Sequence, residues 1–431
     1  MSFTIESFHN PYLPMGTTRV DAVLTVTASQ DEGSESTFGG GSGLVIGIIV
    51  DTSGSMQGDR IEAVRHATRK AIALLRDGMF FFIIRFSSTA SVVYPLSPAT
   101  ESHKARADQE VRRLDAGGST AMSTGLDMAR EQFQMATGAI HQALFLTDGK
   151  NDDNDNARLD AVLARCEGVF QCDCRGVGTD WQVKQLQKIS SKLLGTAQII
   201  AAPANMEADF ASTIQNASGR TIGKVRLRLW TPKTARIVAV KQMSPEIVLL
   251  TDRGTPVDAQ STDYPTGAWS AESRDYYVAI EMSTPGEIGD EMLAARPSIL
   301  YEVGGQVQEV KNPAARILAS WTGDEALSAR INPQVAHYTG QAELAQTIQE
   351  GLEARAKGDV ETATRLLGRA AKLAVTSGNE ETTSRLKKVV DIVDAREGTV
   401  RLKQKVNKAD EMDLDLGSTR TSRARRPNPD A

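Results

Sequence analysis

The chain has 431 residues, 40% of them hydrophobic, which supplies cores for two or three domains. Its formal net charge of −5, from 49 Lys+Arg and 54 Asp+Glu, gives no bulk electrostatic reason to bind nucleic acid or an anionic membrane. Only 3 Cys and 5 His are present, which argues against a disulfide scaffold, suits a reducing compartment and leaves a His/Cys zinc enzyme poorly supplied.

The opening MSFTIESFHNPYLPMG lacks the basic region and unbroken apolar run of an export signal. The most apolar stretches, 44–50 and 79–86, are far short of the ~20 residues of a spanning helix. The expectation is a cytoplasmic chain. Residues 17–28, rich in Val and Thr, read as a strand. The Gly-, Ser- and acid-rich stretch 29–43 reads as a flexible linker.

LVIGIIV (44–50) is the continuous apolar run of a parallel strand covered on both faces. Residues 59–77 then set Ile61, Val64, Thr68, Ala71, Ile72 and Leu75 on one helical stripe. A second buried strand follows at 79–86, and 90–96 resembles an antiparallel edge strand. Met122, Leu126, Ala129 and Phe133 mark a helix over 121–136. Strands at 143–149, 169–178 and 197–202 alternate with helices at 157–166 and 181–195, and a connecting helix is expected near 204–217. This alternation predicts an α/β domain over 44–217 with a doubly wound, mostly parallel sheet.

After 218 the period drops to two. Segments 224–230, 235–243, 275–282 and 298–303 read as half-buried strands of an antiparallel β-sandwich over 218–320. That sandwich is short of strands, and the strand before the linker lacks a partner. Residues 1–28 are therefore expected to pair into it, with the α/β domain inserted. Stripes of Leu344, Ile348 and Leu352, of Ala363, Leu367 and Ala370, and of Leu386, Val389 and Val393 give three helices within 321–400. A tetratricopeptide-like hairpin and a plain three-helix bundle both fit. The polar stretch 401–431 is expected to be a disordered tail.

The segment Asp51-Thr52-Ser53-Gly54-Ser55-Met56 follows a buried strand and precedes an amphipathic helix. Ligands of open α/β sheets sit at the carboxyl ends of strands. Asp51, Ser53 and Ser55 offer oxygens around one loop, and Gly54 lets the backbone turn. Further oxygen donors are Thr120, in GGST before a helix, and Asp148, in LTDG after a strand. Each motif alone also reads as a helix cap or a strand-to-turn transition. Together they point to a hard divalent cation such as Mg²⁺, with Mn²⁺ or Ca²⁺ as alternatives.

These residues resemble the metal-ion-dependent adhesion site of von Willebrand factor type A domains, over about 42–217. The wider arrangement is similar to bacterial, actinobacterial-type intracellular members of that group. The resemblance implies direct metal coordination by Ser53, Ser55 and Thr120, with Asp51 and Asp148 acting through water. Ser119, next to Thr120, is the alternative donor. It also implies binding without turnover: a partner protein's Asp or Glu would complete the metal's shell, as in a scaffold. The alternative is an accessory subunit of a MoxR- or chelatase-like AAA+ ATPase. A metal-assisted hydrolase lacks an evident general base.

Other features carry less. NDDNDN (151–156) reads as a solvated acidic loop, since it lacks the glycine and closing Glu of a calcium loop. Cys172 and Cys174 share a strand face as buried thiols. His66 and His103 show no partner. Thr419 and Thr421, between acids and arginines, are candidate phosphorylation sites for a kinase, with docking to a forkhead-associated domain as the consequence.

Overall fold

The run LVIGIIVD has no polar side chain before its last residue, and strand Leu44–Asp51 is buried along its whole length. In the computed structural model it is the centre of a six-stranded sheet. The structure describes residues 1–10, 12–30, 43–136, 140–303, 305–421 and 423; most of the predicted linker, 31–42, lies outside them. Two compact units emerge, one of Gly33–Lys224 with Gly267–Ser270, the other of Met1–Glu32, Val225–Thr266 and Ala271–Ala431.

In the α/β unit, the central strand pairs in parallel with Phe80–Phe86 on one side and Ile140–Thr147 on the other. Strands Gln171–Val177 and Ala197–Ile200 continue the parallel array, and Ala90–Pro98 closes the opposite edge antiparallel, as expected. The chain therefore builds outward on one side of Leu44–Asp51, then returns and builds outward on the other. That reversal is a topological switch point, where an open α/β sheet leaves a crevice beyond its strand ends. Asp51 ends one flanking strand and Asp148 follows the other.

Alternate residues of the central strand serve opposite faces. Leu44, Ile46, Ile48 and Val50 join a core with helices Asp59–Ala73 and Met206–Ser218. On the other face Gly47 admits aromatic packing: a Cβ there would lie 2.4 Å from the Phe82 ring and 2.9 Å from Phe133. Helix Glu101–Val111, capped by the Thr100 side chain, was not anticipated; only Ala107 and Val111 of it are buried, too thin a stripe to read.

The other unit holds the sandwich. One sheet runs Ser2–His9, Arg19–Ser29, Ser273–Met282, Ala235–Ser244 and Val248–Leu249. Arg19–Ser29 pairs with strands on both sides, so the N-terminal segment is integral to the sandwich, as inferred. The second sheet includes Ser261–Trp269, Gln306–Lys311 and Ile317–Thr322 beyond the strands anticipated. In STDYPTGAW, Pro265 and Gly267 interrupt the alternation and hide the strand.

Helices Pro333–Ala356, Val360–Thr376 and Glu380–Val389 follow. Neither the tetratricopeptide hairpin nor the plain three-helix bundle describes what comes next. The third helix stops at Val389, where a β-branched run becomes strand Val390–Asp394, paired with Thr399–Leu402. The expected disordered tail is also corrected in part: Lys408–Ser418 is a helix capped by the Asn407 side chain, with Met412, Leu414 and Leu416 buried. Its acids meet bases of the bundle, with Glu411 2.7 Å from Arg355 and Asp413 3.3 Å from Arg385. Residues 422 and 424–431 lie outside the described residues. No helix among the described residues is long and apolar enough to cross a membrane.

Candidate metal centre

Asp51 is the last residue of the central strand and is fully buried. Its Oδ1 accepts a 2.7 Å hydrogen bond from the Ser53 backbone N–H, which folds the loop tightly after the strand. Its Oδ2 accepts from the Thr147 hydroxyl at 2.6 Å. Burial is the largest influence on this carboxyl and pushes its pKa up to about 6; the bonds from Ser53 and Thr147 oppose the rise, and the charge of Asp148 adds to it. No described Lys or Arg makes an ion pair with Asp51.

From Asp51 the loop presents a string of oxygens. Ser53 Oγ lies 3.1 Å from Ser55 Oγ, and Ser55 Oγ donates to Asp148 Oδ1 at 2.6 Å. Thr120 arrives from the sheet's other side on a loop tied to the first by backbone bonds, Gly54 N–H to Gly118 O at 2.9 Å and Gly117 N–H to Thr52 O at 2.7 Å. The Thr120 hydroxyl and the Ser55 hydroxyl both lie over Gly149. A Cβ at that glycine would lie 3.1 Å from Thr120 Oγ1 and 3.3 Å from Ser55 Oγ. The neighbouring Ser119 hydroxyl turns away to Ser88 Oγ, 3.2 Å distant. The structure thus gathers Ser53, Ser55, Thr120, Asp148 and the supporting Asp51 at the switch point.

Two carboxylates and three hydroxyls on a cradle kept open by a glycine fit a hard, oxygen-seeking divalent cation. They do not resemble a nitrogen–sulfur site, and among the described residues no three His, Cys, Asp or Glu side chains group as a metal cluster. The three cysteines are free and buried, with Cys172 and Cys174 Sγ atoms 3.9 Å apart. Burial pushes the Cys166 thiol up to about 12, which keeps it inert.

Several residues around the site were missed or misread. The NDDNDN run is only partly a solvated loop. Asn151 and Asp155 are buried, and they hold the start of helix Met122–Gln134: Asn151 Oδ1 accepts from Met122 N at 2.8 Å and Asp155 from Ser123 N at 2.9 Å. Asp152 N–H bonds the Thr120 carbonyl at 2.8 Å. The run therefore braces the Thr120 loop. A paired Asn and Asp four residues apart, after one strand end, was the available signal. Arg60 was not singled out, yet it bonds Asp148 Oδ2 at 2.5 Å. His66 and His103 do have partners, Glu207 at 2.7 Å and Tyr94 at 2.7 Å.

Thr419 and Thr421 belong to the other unit. The Thr421 hydroxyl donates to the Met243 carbonyl and its N–H to Pro245 O at 3.1 Å, while Ile247 N–H donates to Thr419 O at 2.8 Å. The segment thus lies hydrogen-bonded against the sandwich.

A solved structure, von Willebrand factor type A from Catenulispora acidiphila, aligns with 98% of this chain and 97% of its own, at 43% identity and a TM-score of 0.91. This chain belongs to the von Willebrand factor type A family. The family's type A domain model matches residues 46–150, and its C-terminal domain model matches 372–418, which includes the helix at 408–418. The ArnB paralog VWA2 from Sulfolobus acidocaldarius shares the fold over 97% of this chain at 14% identity, with a TM-score of 0.59. An uncharacterized Synechocystis protein is 27% identical over 209 residues, 47% of this chain and 49% of that protein. Inter-alpha-trypsin inhibitor heavy chain H1 of Mesocricetus auratus is 28% identical over 163 residues, 35% of this chain and 18% of that one. The matched stretch thus spans about half or less of these curated relatives. Domains of this family commonly mediate protein–protein interaction and typically bind a divalent metal.

Proposed function

We propose that this protein is a metal-dependent protein-binding module, with Mg²⁺ held by Ser53, Ser55 and Thr120 and completed by an acidic side chain of a partner. The observation that carries this reading is the oxygen string Ser53–Ser55–Asp148, at 3.1 and 2.6 Å, converging with Thr120 over Gly149. Bound there, the cation would supply an electrophilic centre for a carboxylate. Asp51 and Asp148 hold the serines in place, and the bonds from Asn151 and Asp155 fix the helix that follows Thr120.

Binding without turnover is favoured by how the hydroxyls and histidines are engaged. Ser53 pairs with Ser55, while in the α/β unit His66 bonds Glu207, His103 bonds Tyr94, and His141 bonds the carbonyls of Val169 and Ala136. None of these three histidines is thereby set to take a proton from Ser53. Calorimetric titration of the metal-free chain with Mg²⁺ tests the reading. One-site binding that disappears in Ser53→Ala supports it; a wild-type chain that takes up no Mg²⁺ refutes it.

A further inference from the structure

Arg60 lies in the first turn of helix Asp59–Ala73 and turns its guanidinium back over the site. Nη1 bonds Asp148 Oδ2 at 2.5 Å, and Nη2 bonds Asp180 Oδ2 at 3.1 Å. Asp148 is thus gripped from both sides: Oδ1 takes the Ser55 hydroxyl at 2.6 Å, and Oδ2 takes Arg60. The Asp148 side chain is 0% exposed and that of Arg60 30%, so water screens this pair far less than a surface pair. The hydrogen bond to Asp148 is the largest influence raising the Arg60 pKa, which fixes its charge at every accessible pH.

We infer that Arg60 is the positioning and charge-setting residue of this centre: it holds Asp148 against Ser55 and leaves the bound cation under-neutralised, so that the site selects an anionic ligand. The inference rests on the metal-binding reading above. Arg60 sets one positive charge against the two carboxylates of Asp51 and Asp148, which reduces the site to a single net negative charge. A divalent cation then leaves one positive charge, which an incoming carboxylate cancels. Without Arg60 the two carboxylates would offset more of the cation's charge, and its pull on a third would be weaker. Asp180 opposes Arg60 weakly, because its side chain is 61% exposed and its charge is screened.

The same guanidinium therefore has opposite effects on the two ligands. It repels the cation and attracts the carboxylate. A group that merely supported the loop would, when removed, weaken both.

The test uses the full chain, Mg²⁺ followed by calorimetry, and acetate titrated into the Mg²⁺-saturated protein followed by amide chemical shifts. In Arg60→Gln, which keeps an amide donor but loses the charge, Mg²⁺ should bind on the order of tenfold tighter and acetate on the order of tenfold weaker. Arg60→Lys, which restores the charge, should return both affinities toward wild type, and it guards against a folding defect in the glutamine variant. If Arg60→Gln weakens both ligands, or moves neither, the inference is overturned while the metal site stands. A wild-type chain with no Mg²⁺ uptake would overturn the site itself, and this inference with it.

Discussion

Asp51 and Asp275 are both buried strand aspartates, 0% and 2% exposed, and they sit in opposite kinds of surroundings. Asp275, in the sandwich, is closed. It accepts from Thr25 at 2.5 Å, from the Tyr338 hydroxyl at 2.6 Å and from Arg423 Nε at 3.0 Å. These groups come from a strand, a helix of the bundle and the segment after the last helix, so one carboxylate ties three parts of that unit together. Asp51 receives one backbone N–H and one hydroxyl and no described basic group, and its pKa rises to about 6. A buried carboxylate is therefore no sign of a metal by itself. The sign is a carboxylate left without a cation beside hydroxyls that converge on one another.

The contrast breaks most sharply under mutation. Asp51→Ala should abolish Mg²⁺ uptake, and with it the stabilisation of about 2.7 kcal/mol expected at a hundredfold excess over Kd. Without metal the variant should unfold close to wild type, within about 1 kcal/mol, because the loss of a desolvated charge offsets the loss of its bonds from Ser53 and Thr147; thermal melts with Mg²⁺ and with EDTA measure both. Asp275→Ala should do the reverse. It strands Tyr338, Thr25 and Arg423 and should cost roughly 3 kcal/mol in denaturant unfolding, with the Mg²⁺ affinity unchanged. A loss of Mg²⁺ binding in this variant would show that the two aspartates are not independent.

Smaller changes sharpen the same line. Gly149→Ala puts a methyl 3.1 Å from Thr120 Oγ1 and 3.3 Å from Ser55 Oγ, and should weaken Mg²⁺ by roughly tenfold, or about 1.4 kcal/mol, in a calorimetric titration. Arg423→Ala should be the mildest. Its side chain is 44% exposed, so solvent replaces much of what it gives Asp275, and a loss under about 1 kcal/mol is expected. A cost as large as that of Asp275→Ala would show that Arg423, not Tyr338 and Thr25, is what closes the carboxylate.

Much of the site was legible because its parts are local. Asp51, Ser53 and Ser55 lie within one turn of chain, and a strand end followed by a helix brings their oxygens together with little help from the rest. Asp148 was readable because the apolar strand before it has to neighbour the central one. Arg60 was not, since an arginine in a helix's first turn looks like any solvated charge until Asp148 is placed beside it. The same limit hid the structural work of Asn151 and Asp155, whose targets are free amides at the start of another helix.

The fold divides likewise. Strands with unbroken apolar runs, such as 44–51, declared themselves. Strand 261–269 did not, because Pro265 and Gly267 break its alternation. Helix 408–418 looked like a charged tail because its acids are matched by Arg355, Arg385 and Lys388, all distant in sequence.

In the reading proposed above, Ser53, Ser55 and Thr120 hold a divalent cation. Anomalous diffraction from crystals grown with Mn²⁺ in place of Mg²⁺ tests it most directly. One anomalous peak is expected beside the Ser53, Ser55 and Thr120 hydroxyls, lost in Asp51→Ala crystals. Wild-type crystals with no peak there, or with Mn²⁺ bound only elsewhere, would contradict it.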